Sequence, residues 1–282
     1  MRSGVHETLA RVTRDPLGLL GLALVTVVLG AAIFAPIIAP YDPTKIDIVH
    51  KLAGMSGEHW LGTDQLGRDT LSRIIYGSRV AMGIAIVSIG LGALGGLILG
   101  LLAGYGPRWL DAVLLFLFDT VSSIPSILLA LTIIAVAGPG TGILITVIAL
   151  VSVPVYGRIV RVQTLSLRRA EFILAEQSMG AGLARIIGIH LLPNVLGPLV
   201  ILVSMDIPTV VALEAALSFL GLGVRPPTPS WGTILYDGYG ALRTTPMLVI
   251  AAGIPLIIAT LGFTFLGETL RDALDPKLRR RL

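Results

Sequence analysis

From Pro16 to Pro40 the chain carries no ionisable side chain. As a helix rising 1.5 Å per residue, such a run covers roughly 37 Å, enough to cross a hydrocarbon core of about 30 Å. Five more apolar runs follow it, so this is not the short apolar core of a cleaved leader. A backbone in lipid must satisfy its own polar groups, which restricts a chain of this kind to helices. Charged residues make up only 13% of the sequence, against about 25% in soluble domains. The reading is an all-α polytopic membrane protein with six transmembrane helices.

The expected order begins with an N-terminal segment 1–15 and span one at 16–40. An outer loop at 41–79 follows, with turn signals at Tyr41-Asp42-Pro43, Gly54, Gly57 and Gly62. Spans are expected at about 80–104, 110–137, 141–156, 195–216 and 246–266. A polar insert at 158–194 separates the fourth span from the fifth, a second outer loop covers 217–245, and a tail covers 268–282. The segment 78–267 holds the five-span core.

Fourteen of the 21 Lys and Arg residues fall in the N-terminus, the turn at Arg108, the insert and the tail, and seven in the other loops. Basic residues concentrate on the cytosolic side, so both termini and the insert are expected in the cytosol, with the chain in the cell inner membrane. The same distribution assigns the sequence pI of 9.7 to membrane orientation and not to nucleic acid. Disulfides, thiolate metal sites and cysteine nucleophiles are excluded, because the sequence has no cysteine. The four histidines show no metal-ligand spacing, and GxSxG and HExxH are absent. No GxxxxGK[ST] phosphate loop occurs, and the only lysines are Lys45, Lys51 and Lys277. The chain is therefore expected not to be an enzyme and to hold no metal or cofactor itself.

Gly92, Gly96, Gly100 and Gly104 recur every four residues and share one face of span two, which lets another helix approach closely. Asp119, Asp206 and Glu214 are acidic residues within spans. A carboxylate at a helix centre costs roughly 2.5–3.5 kcal/mol on insertion, so each is expected to face protein or water. They are candidates either for a proton relay in a secondary carrier or for packing within the bundle. The packing reading places Asp206 in a pair inside the bundle and Glu214 near the outer interface.

The insert has the pattern of a helix from about Arg158 to Met179, with apolar residues interleaved among arginines. Gly180 and Gly182 suit a sharp turn. A second short helix, about Leu183–His190, should be stopped by Leu192-Pro193, since proline cannot continue the hydrogen-bond ladder. Such a helix–turn–helix suits either the groove of a partner protein or an anionic lipid surface.

These residues resemble the inner-membrane permease subunits of ABC importers for dipeptides, oligopeptides and nickel. The family's cytosolic signature is Glu-Ala-Ala, then a glycine after three residues, then a distal Leu-Pro. With Gly180 on the signature glycine, Ala175 falls on the central alanine and Leu192-Pro193 on the terminal pair. Leu174 replaces the leading glutamate, and Glu176 stands where the last alanine belongs. The runs Leu61-Gly62-Thr63-Asp64-Gln65-Leu66-Gly67-Arg68-Asp69 and Leu217-Ser218-Phe219-Leu220-Gly221-Leu222-Gly223, with Pro229-Ser230-Trp231-Gly232, are similar to the same subfamily. The resemblance implies a type I importer permease fold in which span one is an extra helix. It implies a homologous permease partner, two ATP-binding subunits that use ATP and magnesium, and an external solute-binding protein. Ala175, Glu176, Gly180, Leu192 and Pro193 would then form the seat of an ATPase, and the outer runs at 59–79 and 217–232 would lie toward the binding protein.

Overall fold

The computed structural model describes residues 13–274. The expected cytosolic ends therefore lie partly outside the described residues, at 1–12 and 275–282. The long elements are α1 (Pro16–Ile38), α2 (Thr70–Tyr105), α3 (Arg108–Ser123), α4 (Ser126–Ala137), α5 (Thr141–Arg168), α6 (Glu171–Ser178), α7 (Leu183–Phe219), α8 (Trp231–Gly240) and α9 (Met247–Leu274). Five helices are long and apolar enough to cross a membrane, or six if α3 and α4, bent by 90° at their break, count as one span. No strand occurs among the described residues.

Several boundaries differ from the sequence expectation, each for a local reason. The outer loop was expected to run to residue 79, but α2 begins at Thr70. Asp69 caps this start: its Oδ2 accepts from the Ser72 N–H and from Ser72 Oγ, both at 2.7 Å. The expected single span at 110–137 is broken at Ile124-Pro125. Proline forces its predecessor out of the helical region, and Ile124 is extended at φ −95°, ψ 127°. The span expected to end at 156 continues to Arg168, carrying Pro154 inside it.

Pro193 does not stop the second helix of the insert. The helix passes through a π stretch at Ile186–Leu191, where the Leu192 N–H donates to the Ile187 carbonyl five residues back, and runs on to Phe219. The wider turn accommodates a residue with no N–H to donate. The second outer loop is not irregular throughout, because it contains α8. Ser230 and Thr233 form a capping box at the start of that helix. Finally, α9 extends past the expected end at 266 to Leu274.

The chain divides into two compact units, each built from separate sequence segments. The first comprises residues up to 86, 131–145 and 205 onward. Here α1 lies along α9 at close range: a Cβ on Gly21 would sit 2.6 Å from the Leu266 nitrogen, and one on Gly262 would sit 2.9 Å from Leu24 Cβ. Asp15 caps α1 through the Gly18 N–H and accepts from Thr269 Oγ1 at 3.0 Å, which ties the two helices at one end.

The second unit comprises 87–130 and 146–204. Within it the glycine face of α2 lies on α5. A Cβ on Gly92 would meet Ser152, on Gly96 Tyr156 at 2.5 Å, on Gly100 the Gly157 carbonyl at 2.5 Å, and on Gly104 Thr164 at 2.6 Å. The four glycines thus place two backbones in direct contact, the arrangement that van der Waals packing favours where lipid supplies no hydrophobic drive between helices.

Candidate functional site

The insert is built on the last turns of α5. Arg168 places its guanidinium 5.1 Å from the Tyr105 ring centroid and donates to the Tyr105 carbonyl. Gln177 donates to the Tyr105 hydroxyl at 3.3 Å. The chain then turns at Arg169-Ala170 into α6. Ile173, Ile186 and Leu191 are buried together, with Leu101, Tyr105 and Leu167 packed around them. This small apolar cluster fixes α6 against the π stretch of α7.

The turn between α6 and α7 is made at Gly180, whose φ of +82° belongs to the left-handed region that disfavours a side chain. No neighbouring atom lies within 4 Å of where its Cβ would be, so the constraint is conformational and not steric. Glu176 reaches back across the turn, with 3.2 Å from its carboxylate to Arg185 Nε and 3.5 Å to His190 Nε2. The His190 ring in turn lies 5.9 Å from the Phe172 ring. The carboxylate displaced from the signature position therefore serves as a clasp between the two arms of the insert. Ala175, Gly180 and Pro193 are exposed, and Leu192 is half-buried.

Outward from this clasped body point large apolar groups: Phe172, Leu174, Met179 and Leu183, with Met179 75% exposed. Sequence reasoning placed the glycine turn but missed the roles of Tyr105, Ile173 and Ile186. The alternation of Ile173 with exposed neighbours on a helix of eight residues is too short to reveal which face is buried.

The outer loops have the opposite character. Asp64, on the turn after Thr63, accepts from Arg68 Nε at 2.7 Å and lies 3.0 Å from Arg73 Nη1. Asp237 of α8 accepts from Arg68 Nη2 at 3.2 Å and from Arg73 Nη2 at 3.3 Å. Gln65 adds a bond to the Asp237 carbonyl at 2.8 Å. Burial pushes the Asp237 carboxyl above its ordinary value, against the opposing pull of Arg73 and Arg68. Trp231 is fully buried, and its indole N–H donates to the Ile74 carbonyl. The motif residues at 61–73 and 230–232 thus fasten the first outer loop and the start of α2 to α8. They are largely buried and form the interior of the outer loops.

The three intramembrane carboxylates are each held locally. Asp119 is largely exposed and pairs with Arg158 at 2.8 Å. Glu214 is fully buried and accepts from Ser218 Oγ at 2.7 Å. The same Ser218 Oγ accepts from the Val224 N–H, so it fastens the loop that follows α7. Asp206 is also engaged by the surrounding structure. Among the described residues no group of three or more His, Asp and Glu is arranged to hold a metal ion.

With this geometry in hand, comparison with known proteins is decisive. Residues 96–280 match the binding-protein-dependent transport system inner membrane component family, and residues 5–54 match the N-terminal transmembrane domain of oligopeptide transport permease C. The chain belongs to the first of these families. It is 38% identical to a dipeptide transport system permease of Alkalihalophilus pseudofirmus, over 97% of this chain and 90% of that one. It is 37% identical to a di/tripeptide transport system permease of Pseudomonas aeruginosa, over 92% and 88%. A glutathione transport system permease of Pectobacterium atrosepticum is 36% identical, over 99% and 93%.

The fold is that of the permease in the inward-facing MetNI methionine ABC transporter. There the TM-score is 0.59 at 22% identity, over 72% of this chain and 97% of that one. The chain is thus a multi-pass inner-membrane permease subunit of an ABC importer, a non-catalytic subunit that works with ATP-binding and substrate-binding partners. Nothing in the structure or in these relatives favours a proton-coupled carrier.

Proposed function

We propose that the chain forms, with a homologous permease, the translocation path for short peptides or peptide-like solutes delivered by an external binding protein. Two ATP-hydrolysing subunits, using ATP and magnesium, drive it from the cytosolic face. The insert at 158–194 is their seat, with Ala175, Glu176, Gly180, Leu192 and Pro193 at or beside the contact. The observation that carries this reading is the exposed apolar rim of Phe172, Leu174, Met179 and Leu183 on a body clasped by Glu176 and pinned by its own buried cluster. A rigid body with an apolar rim can transmit a push, whereas a loosely held helix would absorb it. The peptide class follows the named substrates of the three relatives above.

The experiment is Gly180→Val in the reconstituted assembly. A β-branched side chain at this positive φ displaces the turn and with it the rim. ATP hydrolysis should continue while uptake is lost and the chain still inserts and assembles. Unchanged uptake would remove the coupling assignment.

A further inference from the structure

The third span is broken inside the membrane, and the chain leaves that break uncovered. Helix α4 has 12 residues, which cover about 18 Å at most along the membrane normal. It runs from the break to the turn at 138–140, at the opposite end of α5 from the insert. Counted from that turn, the break falls short of the far side of a hydrocarbon core of about 30 Å. Ser123, Ile124, Pro125 and Ser126 are all exposed there, and Ile124 is extended. Beside them Asp119 and Arg158 form an ion pair whose side chains are 72% and 39% exposed. Arg158 Nη2 donates to Asp119 Oδ1 at 2.8 Å and to Ser122 Oγ at 3.2 Å. These bonds run through one guanidinium nitrogen and one carboxylate oxygen, and much of both heads stays uncovered by the chain.

Lipid cannot cover this patch. Non-helical backbone at membrane depth is tolerated only inside protein or beside water, and ionised side chains within spans likewise face protein or a water-filled cavity. A dry contact with another subunit would strip the water from both charges, a cost that an ion pair repays only when its remaining lone pairs and protons are also satisfied. Water is the cover that costs least. We propose that Asp119, Arg158 and the hydroxyls at the break form a wall of the water-filled path. The pair balances the charge of that wall, so that acidic and basic peptides pass alike; this rests on the peptide reading above. A wall carrying one sign would hold peptides of the opposite sign and repel its own, because low-dielectric surroundings focus the field into the water. Held 2.8 Å apart, the two opposite charges largely cancel for a solute passing farther off.

The test uses the full assembly with its binding protein in proteoliposomes. The chain has no cysteine, so Ser123→Cys is a single handle on it. A charged methanethiosulfonate, which attacks the thiolate that forms in water, should label this cysteine in the assembled transporter. No labelling would put the break against lipid or a dry interface and overturn the proposal. Uptake of Ala-Glu and of Ala-Lys is then compared at saturating, fully loaded binding protein, so that its affinity for each drops out. In R158Q the Ala-Glu to Ala-Lys ratio should fall about tenfold, roughly threefold from each peptide, the scale of a unit charge acting across about 6 Å of water. In D119N the ratio should rise by a similar factor, and in D119N/R158Q it should return to the wild-type value. Equal loss of both peptides in R158Q would make the pair a structural brace, and an unchanged ratio would place it off the path; either result overturns the proposal. Wild-type assembly that takes up neither peptide would overturn the peptide reading instead, while labelling of Ser123→Cys would still uphold the wall.

Discussion

The outer loops and the insert are both polar interruptions in an apolar chain, and both hold a family motif, yet they use charge in opposite ways. In the outer loops Asp64, Arg68, Arg73 and Asp237 are drawn inward and neutralise one another. In the insert Arg185 stays mostly exposed, and apolar groups are turned outward around Gly180. A buried ion network fixes its surroundings, since removing any member strands the others. An exposed apolar rim on a braced body is a surface kept for another molecule. One motif therefore holds the subunit together, and the other is the one proposed above to connect it to a partner.

The largest expected effect tests the first half of this contrast. Asp64→Ala leaves two guanidiniums buried with only Asp237 to share, and should destabilise the protein by about 3–5 kcal/mol. Thermal unfolding of the purified chain would measure it, and a loss no larger than that of an exposed pair would break the contrast. Next comes the α2–α5 contact: Gly100→Val drives a side chain into the Gly157 carbonyl and Val160 and should cost about 1–3 kcal/mol or more by overpacking. At the insert, Gly180→Val should cost only about 1–2 kcal/mol through its left-handed backbone, yet remove uptake. A function-heavy, stability-light variant there, beside a stability-heavy Asp64→Ala, is the signature of the two roles.

Arg185→Ala, which opens one exposed ion pair, should cost less than about 1 kcal/mol. The smallest effect is set by pH in the first outer loop. The hydrogen bond that the His50 ring donates to the Asp47 carboxylate raises the His50 pKa and lowers that of Asp47. The His50 contribution is present below its unfolded value near 6.5 and is lost as pH rises through the raised folded value. The Asp47 contribution is present above about 3.8 and is lost as pH falls through its lowered value. Stability should therefore ease slightly as pH rises past 6.5, and His50→Gln should abolish that slope.

The uncharged runs made the helical membrane class legible, and Gly180 with Gly182 made the turn of the insert legible. The ends of the spans were not legible, because they depend on single side chains acting locally: Asp69 capping α2, Pro125 breaking the third span, and a π stretch carrying the chain past Pro193. The outer network was invisible for a different reason. Arg68 and Arg73 look like ordinary loop charges until the fold brings Asp237 to them from 169 and 164 residues away. Glu214 likewise gave no sign that Ser218, one turn on, would close it inside. Periodicity reports which face of a long helix is apolar, but it cannot report a partner supplied by another segment.

The central claim is that the rim around Gly180 is where the ATP-hydrolysing subunits seat. The sequence contains no cysteine, so one introduced cysteine is a unique handle. Met179→Cys should cross-link to the ATPase in membranes of the full assembly, while Val49→Cys, still more exposed but in the first outer loop, should not. Cross-linking from Val49→Cys, or none from Met179→Cys in a transport-competent assembly, would contradict the account.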